Sequence, residues 1–279
     1  MGQLPSVSRV MFANPTKTMD SAQHQIKHHF PRSTQYDPTW VREHSMGENV
    51  LFNLESITSL IPLEKGMRVL DLGCGKAASS IFLAKEYGVQ VWAVDEAISA
   101  TANYKRVQEE NLENQVFPLQ ADARDLPFPE EFFDVVLVID SYTYFGTDDK
   151  YLPYICRFLK SDGYIGIVDV CFKEEIETID QVPEFLQADF QAYWYYIHSV
   201  AWWRKLWEKT GLVLIKTAEL LPAADLIREQ YVRDFEEHGQ KKDPFARGLK
   251  KDNDHQISFF RLIGQRTSRE AYLQSYKKA

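Results

Sequence analysis

The chain has little of three things, and each shortage excludes a class of partner. No apolar run approaches the roughly 18 residues that a membrane span needs, so no membrane is expected as a partner. There is no surplus of positive charge: 32 Lys+Arg stand against 40 Asp+Glu, a formal net charge of -8. Nonspecific nucleic-acid binding needs clustered cations, so no nucleic acid is expected either. Only three cysteines occur, Cys74, Cys156 and Cys171, with no CxxC pair. That spacing speaks against a disulfide framework or a zinc ribbon and suits a reducing, cytoplasmic setting. The first residues lack the charged and apolar regions of a signal peptide. Met1, Gly2 and Ser6 fit the loose myristoylation pattern, but Pro5 is unusual within it and lipidation is not expected.

What is present is a chain of 279 residues with 44% hydrophobic content, enough for a full core in one large domain or one domain with a lid. Residues 1–20 are polar and aperiodic and read as an arm. From 21 to 61 the pattern is helical, broken at 31–38, with one apolar face at Val50, Leu51, Leu54, Ile57, Leu60 and Ile61. Arm and helical cap together make up 1–61. After a turn at 62–67 the reading alternates: strand 68–72, helix 76–87, strand 90–94, helix 97–111, strand 115–119, strand 134–139, helix 149–160 and strand 164–170. Residues 173–200, with the aromatic run FQAYWYYIH, interrupt the rhythm and read as a lid inserted after the fifth strand. The helix AWWRKLWEKTG follows, then strands 212–217 and 257–264 with an amphipathic helix and a charged loop between them. The expected fold class is α/β: a Rossmann-like, doubly wound, mostly parallel seven-stranded sheet over 62–266, with a tail at 267–279.

In the stretch DLGCG, Gly73 and Gly75 allow a sharp turn after the first strand and leave room for a ligand against the backbone. Ala78 stands where the dinucleotide fingerprint has its third glycine, a tolerated replacement, so the turn alone fits either a dinucleotide or a nucleoside ligand. Asp71 favours the second reading, because a carboxylate there repels a pyrophosphate and attracts an ammonium or sulfonium. Asp95 ends the next strand about 22 residues after the first glycine, where an acid accepts from ribose hydroxyls. Asp122, after the third strand, is placed to accept from an exocyclic amine.

These motifs resemble the class I S-adenosylmethionine-dependent methyltransferases, over about residues 46 to 266. VLDLGCG resembles the first motif, VWAVD the ribose-binding strand end, ADARDLPF the adenine segment, and FDVVLVIDSYTYF the strand and loop beside the methyl donor. The resemblance implies S-adenosyl-L-methionine as cofactor, with Gly73, Cys74 and Gly75 facing it, Asp71 near its amino-acid end and Asp95 on the ribose. It further implies Glu96, Asp122 and Ala123 at the adenine, and Asp140 with Ser141 beside the methionine. Many relatives carry an apolar residue at the position of Glu96. MGENVLFNLESI and DSYTYFGTDD resemble a bacterial small-molecule branch, similar to cyclopropane-fatty-acid synthases, and imply a small-molecule methyl acceptor.

For catalysis, His198 follows the aromatic run and reads either as a general base or as a core histidine bonded to backbone. Tyr142 and Tyr144 follow the fourth strand, where an acceptor would approach, and are expected to orient it or cage a cation. Tyr193, Trp194, Tyr195, Tyr196, Trp202 and Trp203 divide between acceptor pocket and core. Cys74 has no neighbouring histidine and is not expected to act as a nucleophile. His24 and His28 form an i, i+4 pair beside His29 without a third ligand, and Val170 follows Asp169 where a metal-binding pair would need another ligand, so no metal is expected. Three alternatives remain: a protein that binds S-adenosylmethionine without catalysis, a lipid cyclopropanase, and a nicotinamide-dependent oxidoreductase. Oligomeric state cannot be read from the pattern.

Overall fold

The computed structural model describes residues 23–190, 194–238 and 243–268, with backbone alone for 188–190 and 194. The expected arm at 1–20, Tyr193, the Trp194 side chain and all but the first two residues of the tail lie outside the described residues. Seven strands form one sheet: β1 (Arg68–Leu72), β2 (Gln90–Asp95), β3 (Val116–Gln120), β4 (Phe133–Ile139), β5 (Leu159–Phe172), β6 (Val213–Leu220) and β7 (Ile257–Arg266). Their order is β3-β2-β1-β4-β5-β7-β6. All neighbours run parallel except β7, which is antiparallel to both β5 and β6. The inner strands read as near-continuous Val, Leu and Ile because helices cover both faces. From β1 the chain winds outward through β2 to β3, then returns to lay β4 on the other side of β1. The crevice beyond the carboxyl ends of β1 and β4 is therefore the switch point at which open α/β sheets bind ligands.

Among the described residues ten α-helices pack around this sheet, counting one over 23–29 as α1. On one face lie α3 (Val50–Thr58) and α4 (Ala78–Tyr87); on the other lie α6 (Tyr151–Cys156) and α8 (Val200–Glu208). The break expected at 31–38 is there, ended by Asp37, which caps α2 (Pro38–His44) through Thr39 N and Trp40 N. Its start is fixed from within the core: the buried Glu55 carboxylate accepts from Arg32 N at 2.9 Å and Ser33 N at 2.7 Å. A second break was not anticipated. Residues 45–49 leave the helical path, and the Asn49 side chain caps α3 through Leu51 N and Phe52 N. Every residue of α3 from Leu51 to Thr58 is buried, so this helix is a core element against β4 and β5 rather than an outer cap.

Two further elements differ from expectation. The helix expected over 149–160 spans only Tyr151–Cys156, and Ser161, Asp162 and Gly163 sit inside β5. The pairing jumps from Phe133↔Leu159 to Val135↔Tyr164, so these turn-type residues build a bulge in the strand instead of a loop before it. The charged segment after α9 (Ala224–His238) contains a helix, α10 (Pro244–Lys251). Asp243 caps it, Pro244 opens it, and Ala246 and Leu249 bury one face; it packs on α7 (Glu184–Phe190) and on α9. The insert after β5 and the insert between β6 and β7 thus form one structure above the sheet's carboxyl edge.

Arg228 of α9 anchors that structure. It is buried, pairs with buried Asp252 at 2.8 Å, and donates to the carbonyls of Ile257 and Asp252 at 3.1 and 2.6 Å, as well as to that of Leu249. Removing one partner of a buried pair leaves an uncompensated charge. Arg228→Met is therefore expected to destabilise the protein by about 3–5 kcal/mol, read as a lower midpoint in urea unfolding.

Candidate functional site

The β1–α4 turn is built on backbone. Gly73 N and Cys74 N both donate to Val94 O, at 2.8 and 3.0 Å, which folds the turn over the end of β2. Gly73 has φ +76, and a Cβ there would come 2.2 Å from Ser141 Oγ, which itself donates to Leu72 O at 3.1 Å. Only glycine satisfies both the left-handed backbone and the close approach. Gly75 has φ +53, and its carbonyl accepts from Asn103 Nδ2 at 2.9 Å.

Asp95 ties this turn to the next one. Its Oδ2 accepts from Gly75 N at 2.8 Å, and its Oδ1 from Ala97 N and Ile98 N at 2.9 and 2.8 Å. A carboxylate offers about four lone-pair sites, so acceptor capacity remains on the side that faces the crevice. The resulting cleft of about 320 Å³ is lined by Gly73, Cys74, Gly75, Asp95, Glu96, Asp122, Ala123, Asp140, Ser141 and Tyr144 among others. Ten of the expected site residues are thus brought together around one concavity. Asp122 spends Oδ1 on Arg124 N at 2.8 Å, and the Arg124 guanidinium also donates to Tyr144 O at 2.9 Å, fixing the rim. Cys74 lines the cleft, but burial and the charges of Asp71 and Asp95 push its thiol well above the ordinary range, which keeps it protonated and inert.

Three expected site residues are placed elsewhere. Asp71 lies beneath the turn, 1% exposed, with Oδ2 taking the hydroxyls of Ser79 and Ser80 at 2.6 and 2.5 Å. Side chains alternate along β1, and this one points toward the start of α4 instead of into the cleft. Burial raises its carboxyl to about 6 against the lowering effect of the two serines. Tyr142 is fully buried, packed edge-on or tilted against Tyr151, Trp203 and Trp207. It is a core residue because the 3-10 turn after β4 directs it onto α8. His198 stacks on Trp202 with ring centroids 3.6 Å apart and holds Glu175 Oε1 through Nδ1 at 2.7 Å. It lies outside the lining of the cleft and of the adjoining cavity, and it braces the start of α8, where Glu175 also takes Ser199 N and Oγ. Trp202 and Trp203 belong to that brace and to the core.

A second cavity of about 390 Å³ adjoins the cleft and shares with it Met46, Gly47, Glu48, Asp140 and Tyr144. Its remaining walls are Thr143, Asp169, Val170, Tyr196, Ile197, Tyr231, Asp243, Pro244 and Phe245. A larger groove of about 690 Å³ between the amino-terminal helices and α9 opens onto the same Met46–Glu48 segment. Most of these residues escape a sequence reading. Met46, Gly47 and Glu48 fall in what reads as helix, and their signal is a glycine two residues before the Asn49 cap. Asp243 is marked only by the Asp-Pro pair that starts α10.

Glu48 and Asp169 are buried, Asp140 is half-buried, and all three carboxyls have raised proton affinity. Burial is the largest cause for each, followed for Asp140 by Glu48 and for Asp169 by Asp140, which takes Asp169 to about 8. Asp140 has φ +55, which aspartate tolerates better than most residues. Among the described residues no group of three or more His, Cys, Asp or Glu is arranged to hold a metal ion. No described helix is long and apolar enough to cross a membrane.

Comparison with known proteins agrees with this geometry. Residues 69–163 match the model of a family described as a methyltransferase domain. The chain is 32% identical over 105 residues to a fatty-acid O-methyltransferase of Mycolicibacterium smegmatis, a match covering 38% of each chain. It therefore spans well under half the length of that relative. Among solved structures, phosphoethanolamine N-methyltransferase 2 of Haemonchus contortus with bound S-adenosyl-L-methionine superposes with a TM-score of 0.67 at 20% identity, covering 82% of this chain and 56% of that one. The [4+2]-cyclase SpnF superposes with a TM-score of 0.63 at 18% identity, covering 80% of this chain and 84% of its own. These likenesses establish the Rossmann-like methyltransferase fold.

Gly73→Ala is expected to lower stability by about 1–3 kcal/mol in urea unfolding, with part recovered in Gly73→Ala/Ser141→Gly, where the clash is gone and the positive φ remains. A carboxyl whose proton affinity is raised by folding contributes stability that is lost as pH rises from its unfolded to its folded pKa. Asp169, shifted from 3.8 to about 8, makes thermal stability fall across that window. Asp169→Asn should flatten the fall in a pH series of melting curves.

Proposed function

Because residues 69–163 match a family described as a methyltransferase domain, we propose an enzyme that transfers a methyl group from S-adenosylmethionine to a small-molecule acceptor. The observation that carries this reading is the shared wall: a nucleoside-sized cleft and a separate cavity meet at Asp140, Tyr144 and the Met46–Glu48 segment. The residues present fit the cofactor. A Cβ at Gly73 or Gly75 would press on Ser141 or Met46, so the glycines keep the cradle open, and Asp95 retains acceptor capacity for ribose hydroxyls. Asp122 and Ala123, which line the cleft after β3, would meet the adenine, and Asp140 and Ser141, which line it after β4, would meet the methionine portion. When bound, the sulfonium supplies an electrophilic methyl group and leaves as a neutral thioether.

Transfer of this kind needs proximity, alignment and exclusion of water more than a dedicated base. Here α9, α10 and the segment after β5 roof the acceptor cavity through Tyr231, Asp243, Phe245 and Tyr196. The loop at 45–49 closes it from the side, with Gly47 so near Asp140 that a Cβ would fall 2.3 Å from Oδ2. The fold alone does not decide the reaction, since a [4+2]-cyclase shares it.

Calorimetric titration separates the alternatives: S-adenosylhomocysteine is expected to bind and NAD is not. Asp95→Asn should weaken S-adenosylhomocysteine by about tenfold or more, the size expected for a lost hydrogen bond to a charged group. Transfer of labelled methyl to any acceptor in a metabolite extract would exclude a non-catalytic sensor. Tighter binding of NAD than of S-adenosylhomocysteine would overturn the proposal.

A further inference from the structure

Among the described residues, the wall of the acceptor cavity carries four carboxyl side chains, Glu48, Asp140, Asp169 and Asp243, and no lysine, arginine or histidine. They come from four separate segments: the loop before α3, the ends of β4 and β5, and the cap of α10. Folding therefore gathers them into a place where they repel one another. Two of the four, Asp169 and Asp243, are satisfied locally. Asp169 accepts from Thr143 N at 3.0 Å and Val170 N at 2.8 Å. Asp243 accepts from Phe245 N and Ala246 N through Oδ1 and from the Tyr231 hydroxyl through Oδ2.

Glu48 is different. It is 3% exposed, and its Oε2 has no hydrogen-bond partner among the described residues. Its carboxyl meets its own backbone N–H and the carboxyl of Asp140, and two facing carboxyls need a proton or a cation between them. A buried acceptor atom left this way is costly, more so where it carries charge, unless a ligand donates to it. Around it stand four aromatic rings, Tyr144, Tyr196, Tyr231 and Phe245. Aromatic faces attract cations and give nothing comparable to a carboxylate or phosphate.

Resting on the methyltransferase reading above, we propose that the acceptor is an amine, bound as its ammonium ion among Glu48, Asp140, Asp169 and Asp243, and that the enzyme is an N-methyltransferase. The ammonium donates its protons to the unpartnered oxygen of Glu48 and to its neighbours. One proton passes to the Glu48–Asp140 pair and exposes the nitrogen lone pair. The nitrogen–methyl bond then forms as the methyl–sulfur bond breaks, with that bond's electrons staying on sulfur, and the proton held by the carboxyl pair returns to solvent. An alcohol or a carboxylic acid offers no charge to the wall, and an anionic acceptor is repelled by it.

The test uses the full chain saturated with S-adenosylhomocysteine and measures amine binding by calorimetry. Ethanolamine, putrescine, tyramine and 2-phenylethylamine are each compared with the matching alcohol: ethylene glycol, 1,4-butanediol, tyrosol and 2-phenylethanol. At least one amine is expected to bind about tenfold or more tightly than its alcohol, and that preference should fall about tenfold in Glu48→Gln and in Asp243→Asn. Asp243 lines the acceptor cavity and not the cofactor cleft, and asparagine keeps the oxygen that caps α10, so this variant should hold S-adenosylhomocysteine as the parent does. Labelled methyl from S-adenosylmethionine should then appear on the nitrogen of the preferred amine. Binding of S-adenosylhomocysteine without any amine preference, or a preference untouched in both variants, overturns the amine assignment alone. Failure of the parent chain to bind S-adenosylhomocysteine overturns the methyltransferase reading and this one with it.

Discussion

One carboxylate holds the nucleoside cleft in shape. Asp95 receives three backbone N–H groups, one from the glycine turn after β1 and two from the turn after β2. The residue before it contributes as well, since Val94 O takes Gly73 N and Cys74 N. The end of a single strand therefore fixes the path of the turn beside it. The openness of Gly75, the seat of Met46 against it and the position of Asn103 all follow from that anchorage. Because the three N–H groups are fixed dipoles, the negative charge is stabilised before any ligand arrives.

The carboxyl ends of β1, β4 and β5 each carry an aspartate, and the three meet different fates. Asp71 is turned under α4 and solvated by two serine hydroxyls. Asp169 is held by backbone N–H groups, and Asp140 faces Glu48. Burial raises the proton affinity of all three, so their charge is kept only at a cost that the fold offsets elsewhere. On the Asp71 side that cost is met by internal hydroxyls. On the Asp140 side the hydrogen-bond supply is incomplete, and the shortage coincides with a cavity. Incomplete satisfaction of buried polar atoms is tolerated in native proteins chiefly where function uses it.

Legibility in the sequence followed the range of the interactions. The strands β1 to β4 stand within a residue or so of where their apolar runs put them, because a sheet covered on both faces demands such runs whatever else the chain does. Gly73, Gly75 and Asp95 were legible for a related reason: a left-handed turn and a strand-end acid are local requirements. Tyr142, expected at the acceptor, lies in the core, and His198, left open between general base and core histidine, braces α8, because a polar aromatic near a site and one in a core look alike in sequence. Only packing on Trp203 and Trp207, or on Trp202 and Glu175, separates them. Asp71 was placed in the right neighbourhood and given the wrong direction, since the chain states its position in β1 but not which face of the strand looks into the crevice.

The sequence by itself determined the α/β class, the succession of its strands along the chain and the glycine turn with its strand-end acid, because these rest on periodicity and on backbone conformations few residues can adopt. The tertiary structure decided what lines the second cavity. Glu48 and Asp243 stand 195 positions apart in the chain, and neither carries a local mark of function. They reach one cavity because Asn49 caps α3 after a break at 45–49 and Arg228 pins α9 and α10 over the sheet. Charge gathered from distant segments is a property of the closed fold, and no window of sequence contains it.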